Sequence, residues 1–182
     1  MPALTRRALL GAMLGAAATP LVGRAARAEE RPSPGAPGAL PAGTLALLES
    51  SPYVYVSPLR EGGDESTCHG EVWFAWLDGA AVVITARERW KARSLAAGRD
   101  RARLWVGDHG TWKKLVGRSE AFRSAPSFEA RGRFVKDPAL LARLIAAYEK
   151  KYPAEIGRWR DRFETGFASG ERVLIAYAPI AG

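Results

Sequence analysis

A hairpin signal near the middle of the chain constrains its fold most. Asp78-Gly79 separates an aromatic and β-branched run at 67–76 from an apolar run at 80–86. Asp-Gly is a favoured pair for two-residue turns, because both positions tolerate the left-handed backbone that matches the twist of the flanking strands. The two runs are therefore predicted to be neighbouring antiparallel strands.

Other strand-like runs follow the same logic. β-branched, aromatic or alternating apolar residues stand at 53–56, 101–106, 113–116, 127–135 and 171–179, of which 113–116 is the weakest. Helical patterns are few and come mostly late in the chain. This order predicts a mainly β (α+β) fold, an antiparallel split β-barrel with a short crossover helix and peripheral C-terminal helices, rather than a parallel α/β sheet.

The late helices have recognisable ends. Asp137 is a good N-cap acceptor and Pro138 suits the first helical position. An apolar stripe at helical spacing follows, and after Pro153 a second stripe runs to Gly170, a residue suited to end a helix. A shorter helix is predicted at 44–50.

The N-terminus has the features of an export signal. Arg6 and Arg7 precede a mildly apolar run at 8–22, and Ala26-Arg27-Ala28 fits a cleavage pattern. We predict that residues 1–28 are a twin-arginine signal peptide cut after Ala28, which directs the protein through the twin-arginine machinery to the periplasm. The run at 8–22 is too short and weak to favour a membrane anchor.

Two further segments follow the predicted cleavage site. Residues 29–43 contain four prolines and three glycines and are predicted to be a linker, and residues 44–182 are predicted to form one domain. Because the twin-arginine route carries folded proteins, often with a cofactor already bound, the signal raises the expectation of a cofactor.

Charge and cysteine content restrict the function classes. The net charge of +8 falls to +4 without residues 1–28, which hold four arginines and no acid. That excess is small, so neither nucleic acid nor stable membrane insertion is expected. One cysteine, Cys68, excludes an internal disulfide, and with only His69 and His109 as histidines no metal site is expected.

A basic stretch follows the strand at 80–86. Thr85 and Glu88 have the spacing of a capping box, which predicts a helix beginning at Thr85. Arginines and a lysine then fill its first turns, at Arg87, Arg89, Lys91 and Arg93. Cations are unfavourable at a helix N-terminus unless an anion binds there, so the stretch is interpreted as a phosphate site; the alternative is a solvated basic helix.

Several motifs in sequence order resemble the pyridoxamine 5′-phosphate oxidase-like family, whose fold is the FMN-binding split β-barrel. The resemblance spans 52–110 and 126–179 and rests on these segments: PYVYV at 52–56, EVWFAWLDG at 71–79, ITA at 84–86, WKAR at 90–93, KDPAL at 136–140 and RVL at 172–174. The chain lacks the Arg-rich C-terminal substrate motif of the true oxidase, so pyridoxamine phosphate oxidation is not expected.

The resemblance implies a cofactor and its binding residues. By position, Thr85, Trp90 and Lys91 would bind the flavin phosphate, with Arg87 and Arg93 as weaker additions. Three residues of the preceding strand would lie beside the flavin ring: Glu71, Val72 and Trp73. The implied cofactor is FMN or a related flavin or deazaflavin F420, with haem less favoured, and the implied assembly is a homodimer with the cofactor at its interface.

The expected function is an exported FMN-type binding protein, an oxidoreductase of a small-molecule substrate. The alternative is a non-catalytic protein of the same fold that binds flavin, haem or an apolar ligand. A nucleic-acid or membrane-surface module is a weaker third interpretation. The sequence assigns no catalytic residue.

Overall fold

A computed structural model describes residues 40–109 and 120–180. The predicted signal peptide, most of the predicted linker and the weak strand at 113–116 lie outside the described residues. The division at 28 and 43 therefore stays a prediction.

Seven strands form one antiparallel sheet. They are β1 (Tyr53–Pro58), β2 (Gly70–Trp73), β3 (Ala75–Leu77), β4 (Ala80–Ala86), β5 (Arg101–Val106), β6 (Ser127–Val135) and β7 (Arg172–Pro179). Their spatial order is β2-β1-β5-β6-β7-β4-β3. β2 and β3 are the two ends of this order, yet only Phe74 separates them in the chain. Two peptide links span at most roughly 7 Å, so the ends of the sheet lie side by side and the sheet curls into a barrel.

Four α-helices accompany the described strands: α1 (Ala42–Ser50), α2 (Trp90–Ala96), α3 (Pro138–Lys151) and α4 (Arg160–Ser169). Short 3-10 turns lie at Ala121–Ser124 and Ile156–Arg158. α2 crosses from β4 to β5, and α3 and α4 precede the closing strand. The predicted antiparallel split barrel with a short crossover helix and late peripheral helices is confirmed.

Local signals read from the sequence formed as expected at three places. Leu77 pairs with Ala80 across the hairpin, and Asp78 and Gly79 have φ of 51° and 72°. The carboxylate of Asp137 accepts a hydrogen bond from the backbone N–H of Ala139 at 2.8 Å. Gly170 ends α4 with φ of 80°, in the left-handed region.

The capping box prediction at Thr85 is wrong. Thr85 lies inside β4, where it pairs with Val173 of β7, and the backbone N–H of Arg87 extends that ladder by donating to the carbonyl of Glu171. α2 begins only at Trp90, and no side chain caps it. Pairing with a buried central strand satisfied the backbone of 85–87 and left the box unused.

The single strand predicted at 67–76 is interrupted. It begins at Gly70 and breaks at Phe74, whose side chain is buried inside the barrel. Tyr152, which follows α3, makes the hydrogen bonds at this break. Its hydroxyl accepts from the backbone N–H of Phe74 at 3.2 Å and donates to the carbonyl of Pro52. A side chain that follows α3, far along the chain, thus replaces the missing ladder partner.

Two apolar cores flank the sheet. The first fills the barrel and includes Val56, Phe74 and Leu104. The second lies between the other face of the sheet and the late helices, where Leu144 and Tyr148 pack with strand residues such as Val82 and Leu174. Among the helices at 40–109 and 120–180, none is long and apolar enough to cross a membrane.

Candidate functional site

A cavity of about 470 Å³ lies where β1, β2 and β4 meet α2 and the late helices. Its lining residues are Tyr53, Glu71, Val72, Trp73, Ile84, Thr85, Lys91, Tyr148, Glu155, Arg158, Trp159 and Phe163. This volume falls within the range of about 300–1,000 Å³ that is usual for small-ligand pockets. We call it the β2–α3 cavity.

Five of the eight sequence-predicted cofactor residues line this cavity together: Glu71, Val72, Trp73, Thr85 and Lys91. They come from three elements, since β2 supplies the first three, β4 supplies Thr85 and α2 supplies Lys91. The strand residues and the cation that the resemblance assigned to one ligand are thus brought to one place by the barrel.

Lys91 is the cation of the cavity wall supplied by α2. It is partly buried, and its Nζ lies 4.7 Å from the centroid of the Trp90 ring. Burial, aided by the neighbouring charge of Arg89, lowers the pKa of Lys91 to about 8. Among the described residues it has no carboxylate partner. An anionic ligand group in the cavity would restore the favourable environment that burial removes.

Aromatic rings form one wall. Trp73 stacks on Tyr152 with centroids 4.3 Å apart and planes at 8°, and Tyr148 meets Trp73 edge-on at 5.8 Å. Trp159 stacks on Phe163 at 6.0 Å. The hydroxyl of Tyr148 donates to the carbonyl of Trp73 at 2.8 Å, which fixes α3 against β2. Ring contacts and this hydrogen bond hold the wall together, and it offers apolar surface to a planar ring system.

Carboxylates occupy other parts of the lining. Glu71 accepts a hydrogen bond from the hydroxyl of Tyr55 at 3.1 Å, and Glu155 comes from the turn after α3. Burial and then the charges of Glu71, Asp108 and Glu155 raise the pKa of Tyr53, so this phenol stays protonated. Tyr53 can donate a hydrogen bond into the cavity at any physiological pH.

The remaining three predicted residues do not line the cavity. The Nε of Arg87 donates to the carbonyl of Gly170 at 2.9 Å and so stabilises the end of α4. Trp90 and Arg93 line a different and larger groove. Successive residues of a helix point about 100° apart, so one short helix separates Lys91 from its neighbours.

A change in the helix start alters the physical basis of the predicted phosphate site. α2 has seven residues and begins at Trp90, five residues later than predicted. The argument from unpaired N–H groups at a helix beginning at Thr85 therefore does not hold. What remains at the cavity is the ammonium group of Lys91 and the buried hydroxyl of Thr85.

The sequence reasoning missed the contribution of the late helices. Tyr148, Trp159 and Phe163 were recognised only as members of apolar helical stripes, and Arg158 was not singled out. The sequence signal for them is the concentration of aromatic residues on those stripes. Which of these residues face the cavity depends on how α3 and α4 pack on the barrel. That packing is a long-range property.

The two histidines lie elsewhere. His69 and His109 surround the buried Phe122–Tyr55 ring pair, at 4.9 Å from Phe122 and 5.7 Å from Tyr55 respectively. Neither histidine lines the β2–α3 cavity. Within 40–109 and 120–180, no group of three or more His, Cys, Asp or Glu side chains could hold a metal ion.

The fold defines a class, the antiparallel split β-barrels, and here a cavity lies beside the crossover helix. Solved structures share this fold. HutZ, the haem storage protein from Vibrio cholerae, is 15% identical with a TM-score of 0.51, covering 77% of this chain and 89% of its own. The conserved hypothetical protein Rv2991 from Mycobacterium tuberculosis is 19% identical with a TM-score of 0.52, covering 80% of this chain and 84% of its own.

No protein-family model and no curated protein matches the chain. At 15–19% identity, the structural likeness shows the fold alone.

Proposed function

We propose that the protein is an exported split-barrel oxidoreductase of a small molecule, and that the β2–α3 cavity binds a phosphorylated flavin-type cofactor, FMN or a related flavin or deazaflavin. The observation that carries the proposal is the position of Lys91, a partly buried ammonium group without a carboxylate partner among the described residues, in the wall of an aromatic cavity. A phosphate group supplies the missing negative charge.

The residues present fit such a cofactor. Lys91 and Thr85 would bind its phosphate, because an ammonium group and a hydroxyl are both hydrogen-bond donors. The aromatic wall around Trp73 would pack against its ring, and the protonated Tyr53 would donate to a ring or chain oxygen. When bound, the flavin-type ring supplies hydride and electron transfer, and the protein supplies binding, orientation and exclusion of water.

Flavin is favoured over haem by the placement of the histidines. The commonest protein ligands of haem iron include histidine, and both histidines of the chain lie around Phe122 rather than in the cavity wall. A non-catalytic carrier on the same fold is the second candidate, because the described lining holds no recognised catalytic constellation. Turnover of an artificial electron donor by the loaded protein divides the two.

An absorption spectrum of the exported protein, with mass spectrometry of the released ligand, tests the proposal. We expect a flavin or deazaflavin spectrum that dithionite bleaches. A Soret band instead would assign haem, and a colourless protein that binds no added FMN would refute the cofactor.

The matched variants are Lys91→Ala, Lys91→Arg and Lys136→Ala. The first removes the cavity cation, the second keeps it, and the third removes an exposed lysine beyond β6. We expect Lys91→Ala to weaken FMN binding about 10- to 100-fold, because a charge-assisted hydrogen bond contributes roughly 1.5–3 kcal/mol. Unchanged affinity in Lys91→Ala would contradict the assignment.

Export and assembly belong to the same proposal. The mature protein is expected in the periplasm after cleavage behind Ala28, and a homodimer would cover the open side of the cavity. N-terminal sequencing of the exported protein and analytical ultracentrifugation with and without FMN check these two points.

A further inference from the structure

A second concave surface lies on the other side of α2. It is a groove of about 1160 Å³ between α2 and the loop that joins β1 to β2. Its apolar part includes Pro58, Leu59, Trp90, Ala96 and Ala97, and its cations are Arg60, Arg93 and Arg99. We call it the arginine groove. None of the proposed cofactor contacts uses it.

Within the described part of the chain, the three arginines of the groove have no ion pair with a carboxylate, unlike several arginines elsewhere in the fold. Arg101, Arg103, Arg123, Arg131 and Arg143 each form an ion pair with a carboxylate. Arg60, Arg93 and Arg99 form none with any described residue. Guanidinium groups without acid partners therefore converge on one concave surface.

The charge of the groove is uneven between its two walls. Arg93 and Arg99 belong to the α2 wall, which carries no acid, whereas Glu61 and Asp64 lie with Arg60 on the loop wall. A third loop acid, Glu65, is held outside the groove by Arg103 and Arg123. The positive end of the groove is thus the α2 wall, next to Trp90.

The loop wall is shaped by its own hydrogen bonds. The backbone N–H of Arg60 donates to the carbonyl of Asp64 at 2.8 Å, and that of Ser66 donates to Pro58 at 2.8 Å. Leu59 and Glu65 form an isolated antiparallel bridge. The groove is therefore formed by fixed backbone on one side and by a helix on the other.

Trp90 forms part of the groove because of a glycine in β2. A Cβ atom on Gly70 would lie 3.3 Å from Cζ2 of Trp90, so the indole edge packs directly against the strand backbone. The ring is half-buried, with the Nζ of Lys91 4.7 Å from its centroid, and the part of it that lines the groove is available to a flat apolar group. Apolar residues beside the two guanidinium groups of the α2 wall suit a small molecule with one aromatic and one anionic end.

We infer that the arginine groove is a second ligand site, and that it binds a small aromatic anion, a phosphate monoester or a carboxylate, through Arg93 and Arg99 with its ring over Trp90. Arg60 contacts the anionic group of this ligand from the loop wall. This site is separate from the β2–α3 cavity, so its occupancy does not depend on the proposed cofactor.

Cys68 gives a direct readout of occupancy. It is exposed, lines the groove and is the only cysteine of the chain. Its rate of alkylation by iodoacetamide, a neutral reagent, can be followed by mass spectrometry. Phenyl phosphate and benzoate are the probes, phenol is the uncharged comparison, and ionic strength is held constant.

We expect phenyl phosphate or benzoate to slow alkylation of Cys68 in a saturable way and to bind in calorimetry, with phenol at least tenfold weaker. The tighter of the two anions identifies the head group. Arg93→Gln and Arg99→Gln should each weaken binding about tenfold or more. Arg133→Gln, which removes an exposed arginine on β6 outside the groove, should leave binding unchanged.

The inference would be overturned by no saturable protection by either anion, by equal binding of phenol, or by equal losses in Arg133→Gln and the groove variants. Tighter binding of a single-stranded oligonucleotide with a steep salt dependence would also overturn it, in favour of a nucleic-acid surface. Thr85→Val separates the two sites, because Thr85 lines the β2–α3 cavity only: it should weaken FMN binding while keeping protection of Cys68.

Discussion

If Lys91 binds the cofactor phosphate as proposed, the affinity for the cofactor should depend on pH. Burial lowers the pKa of Lys91 to about 8 in the ligand-free protein, so the ammonium form dominates below that pH and the neutral amine above it. A phosphate in contact raises the pKa again. The affinity for FMN should therefore be constant from pH 7 to 8 and fall by up to about tenfold per unit above pH 8.

Fluorescence titration of FMN at pH 7, 8 and 9.5 measures this dependence. Lys91→Arg is the matched variant, because its guanidinium stays charged throughout and its affinity should not change over the same range. A wild-type affinity that is equally flat would place the phosphate away from Lys91.

Lys151 is a second partly buried lysine, and burial of its charge should lower the free energy of unfolding. Its Nζ lies 3.7 Å from the centroid of the Phe74 ring and 3.3 Å from the Phe74 carbonyl, and burial lowers its pKa to about 8. At pH 7 the charged form is held in a poorly hydrated place. Lys151→Met should therefore raise the free energy of unfolding at pH 7 by roughly 1 kcal/mol, discounted for partial exposure.

Urea denaturation at pH 7 provides the measurement for Lys151→Met. Lys150→Met is the control, because Lys150 is exposed and adjacent on α3. Destabilisation by Lys151→Met of the same size would show that the contacts with Phe74 outweigh the cost of burial.

At the scale of elements, the join between β2 and β3 depends on the end of α3. The Tyr152 hydroxyl bonds both Phe74 and Pro52, whereas the Tyr148 hydroxyl bonds the carbonyl of Trp73 and the backbone of Ile84. Tyr152→Phe leaves buried backbone groups without a partner and should cost roughly 1–3 kcal/mol. Tyr148→Phe should also cost roughly 1–3 kcal/mol, but it leaves the hydrogen bond at Phe74 intact.

Chemical denaturation of Tyr152→Phe and Tyr148→Phe, with hydrogen exchange at Phe74, distinguishes the two hydroxyls. Faster exchange at Phe74 is expected in Tyr152→Phe only. Equal losses with unchanged exchange would mean that the join does not depend on α3.

Local sequence signals predicted elements well where short-range chemistry decides the outcome. Asp78-Gly79 and Asp137 act within two or three residues, and the structure has the turn and the cap they predict. The Thr85 capping box failed because its competitor, β7, is almost ninety residues away along the chain. A local pattern contains no information about such a partner.

The candidate site could likewise be predicted from the sequence only in part. Its strand residues and Lys91 could be identified from sequence, because a resemblance preserves order along the chain. The contributions of Tyr148, Trp159 and Phe163 could not, because the packing of α3 and α4 on the barrel decides which stripe residues face the cavity. The placement of Lys91 and Arg93 on different surfaces also could not be predicted without knowing where α2 begins.

At the scale of the whole molecule, α2 divides two concave surfaces. Lys91 enters the β2–α3 cavity, while Trp90 and Arg93 enter the arginine groove. The dense basic stretch read from the sequence is thus divided between two concave surfaces. If a redox cofactor binds on one side and an aromatic anion on the other, α2 would lie between the two ligands.

The partly and fully buried titratable groups together should give the ligand-free protein an alkaline stability maximum. Lys91 and Lys151 have folded pKa values of about 8, below the ordinary 10.5, so the unfolded chain binds more protons between these values and stability rises with pH there. Burial raises the pKa of Tyr148 and Tyr177 above the ordinary 10.0, so the unfolded chain loses protons first above pH 10 and stability falls.

The free energy of unfolding should therefore increase by on the order of 1–2 kcal/mol between pH 7.5 and 9.5, after allowance for the partial exposure of both lysines, and decrease above pH 10. Urea denaturation from pH 6 to 11, with reductant to protect Cys68, measures the curve. The double variant Lys91→Met, Lys151→Met should lose the rise and keep the fall, because only the tyrosines then titrate differently in the two states. A wild-type curve that declines steadily from pH 7 would show that neither lysine is buried in solution, and the charge attributed to the cavity wall would then lie in water.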